Sequence, residues 1–163
     1  MSQSSSDHHR FLYWIPAIFV ALLISTFSTH YFSSEQTGHL IIPVLRWFFP
    51  HASSHSIHLL HVLIRKMAHV TEFAIFSITV FHGIRGKLTG WRLGWAIATL
   101  LIAVAYAGLD EWHQSFVPLR EARVRDVAID AFGALLAQSL VWIYARWKWN
   151  FAAPPEFPVN AAK

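Results

Sequence analysis

The chain contains no cysteine. That absence excludes disulfides, thiolate metal sites and cysteine nucleophiles together. Charge is sparse as well: Asp, Glu, Lys and Arg supply 13% of the 163 residues, and the formal net charge is only +4. The bases are scattered at the ends of apolar segments, which suits anchoring at a membrane and offers no basic stripe for nucleic acid. Missing too are a Gly-rich phosphate loop, a G-x-S-x-G nucleophile elbow and any internal repeat. No A-x-A cleavage site follows the first apolar run, so that run is expected to stay as a transmembrane helix.

What is present is apolar. Hydrophobic residues make up 55% of the chain, and its mean hydropathy of +0.39 exceeds that of ordinary soluble domains. Eight Trp and thirteen Phe fit an aromatic belt at the membrane interfaces. The expected fold is all-α, an integral membrane four-helix bundle in contact with membrane lipids. Its spans lie at about residues 11–28, 66–84, 93–109 and 127–145. Residues 29–65 contain Pro43 and Pro50, and their second half, 55–64, is apolar but too short to cross a bilayer. It reads as an interfacial or re-entrant helix between spans one and two. This divides the chain into a polar N-terminus at 1–10, a membrane domain at 11–148, and a tail at 149–163 with Pro154, Pro155 and Pro158.

Loop bases nearly balance across the membrane. One side would hold Arg10, Arg85, Lys87, Arg92, Arg146, Lys148 and Lys163, the other Arg46, Arg65, Lys66, Arg120, Arg123 and Arg125. Most of the second set stands among acids, whereas Arg85, Lys87 and Arg92 form a basic turn with no acid near in sequence. The positive-inside rule then places both termini in the cytoplasm.

Six of the nine acidic residues (Glu72, Asp110, Glu111, Glu121, Asp126 and Asp130) fall in or against the apparent spans. Ionised groups near a bilayer centre cost roughly 2.5–3.5 kcal/mol each, so they are normally paired, inward-facing and functional. Helical spacing gives Arg65, His69 and Glu72 one face, with Lys66 beside it. Tyr106, Asp110 and His113 share a second face, with Gln114 adjacent. Asp126, Asp130 and Gly133 form a third, where Gly133 with Ala134 and Ala137 would admit a neighbouring helix closely. The three faces are expected to meet in one polar cluster. Its ligand types would suit a divalent ion, yet neither H-x-x-E nor D-E-x-H is the H-E-x-x-H zinc signature, and no metal or cofactor is expected. The series His51, His55, His58 and His61 reads as imidazoles on a wet helix face.

Three ordered runs, RKMAHVTEF, YAGLDEWHQSFVPLR and RDVAIDAFGALLA, resemble the VanZ-like family of small four-span bacterial membrane proteins. The Ser-rich stretch 25–36 is loosely similar to that family's first loop, and Leu119 stands where the family usually has Gly. The resemblance implies motif positions at Lys66, His69, Glu72, Asp110, Glu111, His113, Gln114, Arg120, Asp126, Asp130 and Gly133. It also implies an envelope protein linked to low-level teicoplanin resistance. Three functions follow as expectations. The first is a polar outward-facing cleft binding a lipid-linked or glycopeptide-type ligand, with Lys66 and Arg120 as anion contacts. The second is a membrane enzyme on a lipid-linked substrate, using His69 or His113 with Asp110 or Glu111. The third is an accessory subunit of a larger membrane complex.

Overall fold

The computed structural model describes residues 10–118, 120 and 123–150. The polar N-terminus up to residue 9, Leu119, Glu121, Ala122 and the Pro-containing tail from residue 151 lie outside the described residues. Five helices follow one another: α1 (Ile15–Phe27), α2 (Ser34–Phe48), α3 (Ser54–Arg85), α4 (Leu93–Gln114) and α5 (Val124–Asn150). A single 3₁₀ turn, His30–Phe32, joins α1 to α2. No strand occurs among the described residues.

Among the described residues, four helical stretches are long and apolar enough to cross a membrane: Arg10–Phe27, α3, α4 and Val124–Lys148. At 1.5 Å per residue, the 22 residues of α4 extend about 33 Å, close to the thickness of a hydrocarbon core. The bundle is packed as a lipid-soluble protein must be. Small side chains meet inside (Ala103, Ala107, Ala134 and Ala137 are almost wholly buried), while Leu101, Leu109, Leu140 and Ile143 point outward. Lipid tails are as apolar as leucine, so close backbone approach and interhelical polar contacts hold such helices together.

Helix α3 is central and packs against every other helix. Its closest neighbour is α5, which runs parallel to it. A Cβ on Gly133 would run into the Val70 carbonyl, so only glycine permits this approach. Below that crossing, Ser77 Oγ donates to the Ala134 carbonyl at 3.1 Å, and Gln138 Nε2 donates to Ser77 Oγ at 2.9 Å. Helix α1 runs parallel to α4, tied by the Tyr106 hydroxyl donating to the Ala21 carbonyl at 2.6 Å. At the far end, Gly86 at φ +56° stops α3 and starts the basic turn that leads to α4.

The helix between the first two spans sits elsewhere than expected. It is α2, whereas residues 55–64 form the first third of α3. From Ser54 to His82 the sequence has neither Gly nor Pro, and the Ser53 side chain accepts the Ser56 N–H, so one N-cap starts a continuous 32-residue helix. Ser33 caps α2 in the same way by accepting the Gln36 N–H. Pro43 is carried inside α2, losing one backbone donor without ending the helix. Helix α2 and the start of α3 extend past the end of α4 as a hairpin. Leu40 and Trp47 are each 76% exposed there, as expected of a surface lying in a membrane boundary.

Candidate functional site

The parallel run of α3 beside α5 sets two base–acid contacts one helical turn apart. Lys66 Nζ lies 3.5 Å from Asp126 Oδ1, and His69 Nδ1 lies 3.4 Å from Asp130 Oδ1. The second pair is within ionic range but lacks hydrogen-bond alignment, and neither atom has another partner. Asp130 is 1% exposed, deep on the α5 stripe that Gly133 brings against α3.

Across the bundle, the end of α1 meets the last turn of α4. Ser28 Oγ donates to Asp110 Oδ1 at 2.6 Å, and Gln114 Nε2 donates to Asp110 Oδ2 at 2.7 Å. Both oxygens of this buried carboxylate are therefore satisfied by neutral donors. Glu111 accepts the backbone N–H of Arg123 and so fastens the end of the loop that leads into α5.

Two guanidinium groups close the cluster. Arg120 reaches back from that loop to the end of α1, where Nη2 donates to the carbonyls of Phe27, Thr29 (3.2 Å) and Phe32 (3.1 Å). Its Nη1 donates to Gln114 Oε1 at 3.4 Å. A cation there complements the free carbonyls at a helix C-terminus. Arg65 Nη1 donates to the same Phe32 carbonyl at 2.9 Å and to Thr37 Oγ1 at 2.9 Å. Burial pulls the Arg120 guanidinium below its ordinary pKa, while Asp110, Glu72 and Glu111 pull it upward.

Two cavities open on this cluster. A chamber of about 240 Å³ is walled by Phe27, Phe32, Ile41 and Ile64, with Ser28, Arg65, His69, Glu72 and Arg120 at its polar side. A cleft of about 430 Å³ is lined by Arg65, Lys66, His69, Gln114, Arg120, Arg123 and Asp126, among others. Arg65, His69 and Arg120 line both, so the two spaces adjoin through them.

Of the residues singled out from sequence, Lys66, His69, Gln114, Arg120 and Asp126 line the cleft, and Glu72 lines the chamber. Asp110, Glu111 and Asp130 lie behind these walls as partners. His113 is not brought in: it is exposed, although Asp110 and Gln114 on the same helix turn are buried, and it lines neither cavity. The histidine series also divides. His51, His55 and His58 are exposed, but His61 is buried beneath α2, its Nε2 3.4 Å from Thr37 Oγ1. No group of three or more His, Asp or Glu converges as a metal site among the described residues. Sequence reasoning missed Ser28 and Thr37 as parts of the cluster. The Ser-rich stretch 25–36 was the available signal for Ser28.

Comparison with curated proteins and with solved structures gives no match. The family model described as VanZ/LLP1 matches residues 8–145, which include the four spans' core and every polar residue of the cluster. The chain belongs to the VanZ/LLP1 family, as a membrane protein of four apolar spanning helices.

Proposed function

We propose that this protein is a multi-pass component of a bacterial inner membrane whose polar cleft binds a lipid-linked ligand at the outer boundary. The observation that carries this reading is the sharing of Arg65, His69 and Arg120 between an apolar chamber and a polar cleft. An amphiphile needs both environments side by side, and a plain ion-pair lock between helix ends needs neither. The cluster sits level with the last turn of α4, at a membrane boundary opposite the turn carrying Arg85, Lys87 and Arg92. Positive-inside orientation makes that turn cytoplasmic and the cleft external, with both termini in the cytoplasm.

A cleft so placed meets lipid-linked envelope precursors and lipid-anchored glycopeptides. Expressed in a susceptible bacterium, the protein is expected to change sensitivity to teicoplanin, which carries a lipid chain, more than to vancomycin. Arg120→Gln and Lys66→Gln should remove the effect at unchanged membrane abundance, since Gln keeps hydrogen bonding but loses charge. No change in sensitivity to either drug, at verified abundance, would refute the reading and turn attention to an accessory role in a larger complex.

The His69–Asp130 pair favours a second reading, catalysis on a lipid-linked substrate. With Nδ1 against Asp130, the ring's Nε2 has no hydrogen-bond partner among the described residues and His69 lines both cavities, the arrangement of an oriented general base. Asp110 and Glu111 are committed to Ser28, Gln114 and the Arg123 backbone, and do not share that role. Turnover lost in His69→Gln and kept in His113→Asn would establish it; equal turnover in both would exclude it.

A further inference from the structure

We propose that the two cavities together take an alkyl or prenyl chain bearing a phosphate, with the phosphate held by Arg65, Lys66 and Arg120 and the start of the chain in the chamber. This rests on the lipid-binding reading above and names its ligand chemistry. Charge is segregated across the cluster. Among the described residues, four Lys and Arg side chains line the cleft against a single carboxylate, Asp126, which already faces Lys66. The other acids of the motifs are engaged elsewhere: Asp110 accepts from Ser28 and Gln114, Glu111 accepts a backbone N–H, and Asp130 lies 3.4 Å from His69. Glu72 is the one acid on the chamber wall, and it offsets part of the charge of two guanidinium groups.

Those two groups carry the argument. Arg65 Nη1 and Arg120 Nη2 both donate to one neutral oxygen, the Phe32 carbonyl, at 2.9 and 3.1 Å. Like charges are thereby held together by an acceptor that cannot neutralise them. Among the described residues each keeps donors without a hydrogen-bond partner: Nε and Nη2 of Arg65, and the buried Nε of Arg120. A carboxylate has two oxygens and saturates a single guanidinium fork, whereas a phosphate offers oxygens to both forks and to the Lys66 ammonium at once. Phe27 and Phe32 line the chamber yet are 37% and 39% exposed, so the apolar wall continues onto the lipid-facing surface and gives a chain its way in.

The full chain, purified in a non-ionic detergent, is titrated with hexadecyl phosphate, hexadecanol and inorganic phosphate by calorimetry. Hexadecyl phosphate should bind at least about tenfold more tightly than hexadecanol, and inorganic phosphate at millimolar level should not displace it. Arg65→Gln and Lys66→Gln should each weaken hexadecyl phosphate by roughly tenfold, the loss of one charge-assisted contact, and leave hexadecanol unchanged. Arg65→Lys should recover part of the loss in a variant that keeps the charge without the fork. Arg120 also ties α1 to the loop, so Arg120→Gln is scored only if its unfolding midpoint matches the parent. Equal binding of the phosphate and the alcohol would overturn the phosphate assignment and leave the lipid cleft standing. Displacement by inorganic phosphate at similar concentration would make the site one for free phosphate and overturn the amphiphile. Binding of none of the three would overturn this proposal and the lipid-binding reading together.

Discussion

Replacing His69 with leucine strips Asp130 Oδ1 of its only partner among the described residues. Asp130 is 1% exposed, so solvent cannot take over that role. Removing one member of a buried ion pair costs about 3–5 kcal/mol in general. Here the 3.4 Å contact is poorly aligned, and an orphaned carboxylate can take up a proton, which places the expected cost near the lower end, about 3 kcal/mol. Asp130→Leu should behave differently. The His69 side chain keeps 22% exposure and lines the cleft, where water can hydrogen-bond it, so this change should cost under about 1 kcal/mol. The double variant should return to within roughly 1 kcal/mol of the parent, because an apolar pair replaces a buried polar one. Unfolding in mixed micelles of increasing dodecyl sulfate fraction, followed by circular dichroism, gives all four free energies. A double variant as unstable as His69→Leu alone, or Asp130→Leu as costly as His69→Leu, would refute the reasoning.

Three further outcomes are expected. Gly133→Ala should destabilise the bundle by about 1–3 kcal/mol in the same assay despite alanine's better helix propensity, because its Cβ meets the Val70 carbonyl; a neutral or stabilising result would mean that α3 and α5 lie further apart. Ser28→Ala removes the 2.6 Å hydrogen bond to buried Asp110 and should cost about 1–2 kcal/mol, largely restored when Asp110→Leu is added; no restoration would show that Asp110 has another essential partner. Because the chain has no native cysteine, Ser53→Cys should react with an impermeant thiol reagent on intact cells and Lys87→Cys should not; the reverse pattern would invert the proposed topology.

The spans were legible in the sequence because hydropathy and length suffice for them, and the residues of the α3–α5 seam were legible because helical spacing is regular. Asp126, Asp130 and Gly133 at i, i+4 and i+7 announced both the acidic stripe and the close approach, and the structure places all three against α3. The α2–α3 hairpin was less legible. Hydropathy loses α3 where His55, His58, Arg65 and Lys66 interrupt it, and Pro43 argues against α2, although a helix tolerates one lost donor. Local spacing misjudged His113, since residues 110 and 113 lie about 60° apart around a helix and a narrow interface separates them. The chamber could not be read from sequence at all. It exists because Arg65 and Arg120, 55 positions apart, are drawn to one carbonyl at Phe32, and no local pattern encodes which backbone oxygen a guanidinium will reach.

The central claim is that the chamber and the cleft form one site for an amphiphile, and a cryo-electron-microscopy map of the protein in a lipid nanodisc tests it most directly. The account predicts elongated density whose polar end lies within hydrogen-bond distance of Arg65 and Arg120 and whose tail passes Phe27, Phe32, Ile41 and Ile64. A map in which Phe27 and Phe32 close the chamber, with both guanidinium groups paired to Glu72 and Asp110 and no lipid between the helices, would contradict it.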